Sequence, residues 1–136
     1  MGFSIDISLQ PSKQTNISSL KEIIIQKANI LGSTDIYNFH ETEKHNNKFK
    51  NNNIIFCQFD YENIDNLAKF IIFTKKLNNT HIECVYEDDI NYRVIYASSH
   101  YIKNMNKEYA KIYKSNKRKR AYSETEYILY KALFKL

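Results

Sequence analysis

FSIDISLQ (Phe3–Gln10) sets Phe3, Ile5, Ile7 and Leu9 against Ser4, Asp6, Ser8 and Gln10. Alternation with a period of two sends the two sets to opposite faces of a strand, one fully apolar and one fully polar. Such a strand is half-buried, and Pro11 ends it. Downstream, Ser19 followed by Glu22 has the spacing of a capping box. Leu20, Ile23, Ile24, Ala28 and Leu31 then fall on one helical face, and Gly32 supplies a left-handed exit.

DIYNFHETEKH (35–45) and NNIIFCQFDY (52–61) read as two strands of a hairpin. Asp60 or Asn63 caps a second helix with Ile64, Leu67, Ala68 and Ile71 on its core side, stopped at Asn78-Asn79. THIECVY (80–86) and YRVIYAS (92–98) form a last hairpin around a polar turn. NMNKEYAKIYKS (104–115) predicts a short helix, and Ser123 with Glu126 predicts a final capped helix through Leu136, packed by Tyr127, Tyr130, Leu133 and Phe134. The order β-α-β-β-α-β-β-α-α predicts an α+β fold. Its plan is a ferredoxin-like βαββαβ antiparallel sheet with two helices on one face, an extra edge strand and a C-terminal helical extension. Residues 1–100 form the sheet domain and 101–136 a basic helical extension packed on it or projecting from it.

The chain has 136 residues, 43% hydrophobic and 26% charged, enough for one ordinary core and unlike a disordered composition. No apolar run is long enough to span a bilayer, and MGFSIDISLQ lacks the features of a signal peptide, so a non-secreted protein without a membrane partner is expected. Cys57 and Cys84 sit in alternating strand patterns on strands where the two thiols could meet, and read as buried free thiols of a reducing compartment. Ile, Lys and Asn dominate while Gly and Pro are scarce, the mark of AT-rich coding; HNNKFKNNN (45–53) is a loop of that bias.

The residues point to no enzymatic chemistry, no cofactor and no metal. His40 and His45 lie five apart in a predicted strand and face opposite sides, so they cannot share a metal as a helical HExxH pair does. Gly2 and Gly32 are the only glycines, too few for a phosphate loop, and no GxSxG elbow is present. An active site, were there one, would have to draw on His40, Glu41, Cys57, His81 or Glu83. A sheet-face platform for bases fails as well, because Phe56 and Phe59 are three apart and fall on opposite faces.

The net charge of +5 is unevenly spread. Between Tyr101 and Arg120, eight cations face Glu108 alone, a local +7 that leaves −2 for the rest. KSNKRKRAYSETE (114–126) is the densest part. Lys103, Lys107, Lys111 and Lys114 recur at spacings of four, four and three, one cationic stripe on a helix, and Lys117, Arg118, Lys119 and Arg120 continue it. The expectation is a binding module that contacts a polyanion, non-specific nucleic acid through its phosphates, or an acidic protein surface. Three arginines in the chain leave few bidentate base readers. Tyr109 and Tyr113 anchor the arm in this reading. The alternative is an assembly component, homo-oligomeric or bound to another protein, in which Tyr101, Tyr109, Tyr113, Tyr122, Tyr127 and Tyr130 form the interface. NKRKR (116–120) also has the composition of a nuclear-import tag.

VIYASSHYIKNM (94–105) with SNKRKRAYSETE (115–126), together with MGFSIDISL and the AT-rich composition, resembles small uncharacterised proteins of nucleocytoplasmic large DNA viruses of amoebae and algae. The resemblance touches about a third of the chain and carries no catalytic residues over. It implies an intracellular viral setting, virion or host cytoplasm, where small basic proteins serve packaging, scaffolding or host interaction.

Overall fold

The computed structural model describes residues 2–9, 16–43, 53–88, 93–104, 107–108, 110–111 and 124–134. The strands are β1 (Phe3–Leu9), β2 (Asp35–Glu43), β3 (Asn53–Tyr61), β4 (Thr80–Asp88) and β5 (Arg93–Ala97). The helices are α1 (Ile17–Ile30), α2 (Ile64–Lys75), α3 (Ser99–Asn104) and α4 (Glu124–Phe134). Lys107, Glu108, Ala110 and Lys111 are helical as well. The fold is α+β, with one five-stranded sheet in the order β2-β3-β1-β4-β5 and every neighbouring pair antiparallel.

The strand pattern that opens the chain lies at the centre of this sheet. Ile5 pairs with Phe59 and Val85, Ile7 with Cys57 and Ile82, so residues opposite one another share a face. Ile5, Ile7 and Leu9 are fully buried. They join Ile24 and Ala28 of α1, Leu67, Phe70 and Ile71 of α2, and Leu129, Ala132 and Leu133 of α4 in one core. Phe70 is its middle, with rings of Phe59, Tyr61 and Phe73 at 4.9, 5.6 and 6.1 Å. Each such pair adds about 0.5–1.5 kcal/mol beyond area burial. α4 packs chiefly along α2, so the last helix belongs to the main core. The second face carries a smaller cluster: Cys84, Val94 and Ala97 meet Tyr86, Tyr101 and Ile102, the last two from α3.

Helix boundaries show where local signals competed. α1 starts a turn before the Ser19/Glu22 box, because the Asn16 side chain accepts from the Ser19 amide at 3.2 Å and serves as the cap. Its exit follows expectation. Gly32 has φ 77°, and the amides of Gly32 and Ser33 donate to Asn29 and Ala28, closing the last turn. α2 is capped by Asn63, which accepts from the amides of Asp65 and Asn66. It ends before Asn79, whose φ of 66° an asparagine tolerates. α3 opens at Ser99, earlier than the predicted start at 104. α4 presents Glu126, Leu129, Ala132 and Leu133 inward, whereas Tyr127 and Phe134 are exposed. Its inward face is thus rotated from the predicted aromatic one; Ser123 lies outside the described residues.

Candidate functional site

The register of β4 shifts against β1 between Asp6 and Ile7, which pair with Cys84 and Ile82. Glu83 is the additional residue of this bulge, a device that re-aims a side chain. Its carboxylate, in a residue only 5% exposed, collects groups from three places in the chain. The Ser8 hydroxyl of β1 donates to Oε1 at 2.7 Å and the Ser98 hydroxyl to Oε2 at 2.5 Å. His100 Nδ1 stands 3.5 Å from Oε2, an ion pair when the imidazole is protonated. A buried carboxylate without partners would cost several kcal/mol; here hydroxyls and imidazole replace the lost water. Ser98 also receives the Tyr101 amide on its hydroxyl, and its own amide donates to the Glu83 carbonyl. The bulge therefore fixes the start of α3 through both side chain and backbone. The His100 ring lies nearly parallel to Phe56 of β3, 6.0 Å between centroids and 11° between planes.

Beside this cluster β5 stops at Ala97 while β4 runs on to Thr80, leaving a cleft of about 530 Å³ at the sheet edge. Tyr96 of β5, Phe134 of α4, His81 and Glu83 of β4, and His100 of α3 contribute to its walls, with Lys75 of α2. The Lys75 ammonium donates to the Ala132 carbonyl at 3.3 Å and to that of Leu133, taking up acceptors that the end of α4 leaves open. Rings continue away from the cleft: Tyr96 meets Phe134 edge-on at 5.9 Å, Phe134 meets Tyr130 at 4.9 Å, and Tyr130 stacks on Tyr127 at 6.5 Å. Lys131 Nζ lies 4.9 Å over the Tyr127 ring.

Of the basic residues singled out in the sequence, Lys107 and Lys111 are helical and exposed, as is Lys103 in α3. Lys114, Lys117, Arg118, Lys119 and Arg120 lie outside the described residues, and so do Tyr109, Tyr113 and Tyr122. Tyr101 is half-buried in the second cluster, Tyr130 is half-buried, and Tyr127 is 41% exposed. Among the residues an active site would need, Glu83 and His81 share the cleft. Cys57 lies in the main core, and the side chains of His40 and Glu41 lie outside the described residues. The two cysteines do not meet. β1 separates their strands, and Cys57 shares the face of Ile7 while Cys84 shares that of Asp6. Burial, reinforced by Asp6, pushes the Cys57 thiol up to about 12 against a smaller opposing pull from Lys21. Burial also raises Cys84 and the Tyr61 phenol.

Sequence reading missed Ser98, His100, Tyr96 and Phe134 as parts of one site. The signal available was Ser98 three residues before Tyr101, the spacing of a helix cap. Among the described residues, no group of three His, Cys, Asp or Glu stands at metal-holding distance, and no helix is long and apolar enough to cross a membrane. No family model, curated protein or solved structure matches the chain.

Proposed function

We propose that the protein is a binding module that engages a polyanion, nucleic acid in the first place, through the basic segment that begins in α3. The observation that carries this reading is the exposure of Lys103, Lys107 and Lys111 at successive spacings of four in helical residues, within a stretch of local charge +7 beside a body of −2. Lysines so placed follow phosphates without reading bases, each contact releasing counterions and steepening the dependence on salt. In this reading the scaffold is a ferredoxin-like βαββαβ unit extended by β5. Strands β1 and β2, joined by α1, enclose β3, and β3 and β4, joined by α2, enclose β1. An intracellular viral setting stays an implication of the sequence resemblance.

The test is binding of a labelled mixed-sequence duplex and single strand at about 50 and 200 mM salt, by wild type and by a variant with Lys117, Arg118, Lys119 and Arg120 changed to Gln. The proposal expects at least a roughly tenfold loss with salt and a further loss in the variant. No binding at the lower salt refutes it. A second reading rests on the exposed aromatic row of α4, where Tyr127 and Phe134 are 41% and 53% exposed. There the tyrosine-rich extension is a protein–protein interface, and light scattering would show a mass above that of one chain.

A further inference from the structure

The cleft at the end of β5 and the lysine track share α3. His100 contributes to the cleft, and Lys103 stands three residues further along the same helix, one turn away on the same side. Resting on the polyanion reading, we infer that the partner is a single-stranded nucleic acid, and that the cleft receives one unstacked base of it while the lysines hold the adjoining phosphates.

Three observations divide the labour in this way. The cleft is walled by rings: Tyr96 and Phe134 in edge contact, and His100 supported from behind by Phe56. Phe134 is 53% exposed and packs on Tyr130 with 4.9 Å between centroids, so part of this lining ring is open to solvent. Rings of this kind offer stacking surface to any base, a contribution that depends little on sequence. The charge inside is of the wrong sign for a phosphate. Glu83 lines the cleft, and the Lys75 ammonium is committed to the carbonyls of Ala132 and Leu133. A carboxylate repels a phosphate but accepts from the amino and imino groups on a base edge, and its two oxygens have lone pairs beyond those that face Ser8, Ser98 and His100. The cations stand outside, at Lys103, Lys107 and Lys111. Finally, about 530 Å³ lies within the roughly 300–1,000 Å³ of small-ligand sites, room for a base and not for a helix. A base within a duplex has its faces covered by its neighbours, so only a strand that can splay a base out uses such a cleft. Base faces and phosphates are common to DNA and RNA, and single strands of either kind fit.

The experiment measures anisotropy of a labelled mixed-sequence single-stranded DNA, the same strand with abasic sites, the corresponding RNA, and a hairpin duplex of equal length, each over a salt series. The full chain is used as wild type, as Phe134→Ala and Phe134→Tyr, and with Lys103, Lys107 and Lys111 changed to Gln. Either single strand should bind about tenfold tighter than the duplex and than the abasic strand. Phe134→Ala should lose about tenfold on the single strand with the salt slope unchanged, and Phe134→Tyr should restore it. The lysine variant should flatten the slope instead. Equal binding of single, abasic and duplex strands, or an intact affinity in Phe134→Ala, overturns the base-in-cleft inference while leaving the polyanion reading standing. Failure of every probe to bind at about 50 mM salt removes that reading, and the inference with it.

Discussion

On one face of the sheet Ile5, Ile7 and Leu9 join residues of three helices in a continuous apolar core; on the other, Ser8 meets a buried carboxylate that reaches the start of a six-residue helix. Both faces exclude water where they are covered, as the burial of Cys57 on one and Cys84 on the other shows. They differ in what fills the space. The helix side is held by contacts that any well-shaped apolar residue provides, and its stability is spread over many side chains. The second side is held by a few directed hydrogen bonds converging on Glu83, a costly arrangement that fixes one geometry. Stability belongs to the first face, and the positioning of His100 and Lys103 through the start of α3 belongs to the second.

The comparison breaks most visibly at Phe70. Phe70→Ala removes the ring that touches Phe59, Tyr61 and Phe73 and should cost about 3–5 kcal/mol in urea unfolding. On the second face Glu83→Ala should cost less, about 2–3 kcal/mol, since it strands the Ser8 and Ser98 hydroxyls without opening a large cavity. Its stronger signature should be local: faster amide exchange in Ser98–Tyr101, with the amides of α1 and α2 unchanged. An equal loss of protection on both faces would mean that the two are not separable.

Much of the first face was legible in the sequence, because a period-two strand and helix faces such as Leu20, Ile24 and Ala28 announce which side is buried. The register that brings Ser8, Glu83 and His100 together was not. It depends on a one-residue bulge in β4 and on where β5 stops, and neither leaves a local pattern. Ile23 shows the converse limit. It fits the apolar stripe of α1 yet is 48% exposed, since the stripe is wider than the sheet beneath it requires. In α4 the large aromatics suggested the buried side, but the small Ala132 let α4 approach α2 and carried Leu129 and Leu133 inward.

Smaller effects sharpen the same contrast. Burial pushes the Cys57 thiol from the ordinary 9.0 up to about 12, so above pH 9 the native state keeps a proton that the unfolded chain loses. Its contribution is whole below pH 9 and falls between pH 9 and about 12, by about 1.4 kcal/mol per pH unit. Cys57→Ala should flatten the alkaline fall of stability by that slope, as seen in denaturation midpoints from pH 8 upward. Smallest of all, Lys75→Met should cost about 1 kcal/mol by freeing the α4 carbonyls, and should raise exchange near Leu133 more than in the sheet.

The most direct test of the account is a titration of the isotope-labelled protein with a mixed-sequence single strand, followed by backbone amide shifts. Shifts should concentrate at His81, Glu83, Tyr96, His100, Lys103, Lys107 and Lys111, while the amides of α1 stay in place. Shifts centred on α1, or none at saturating strand and low salt, would contradict it.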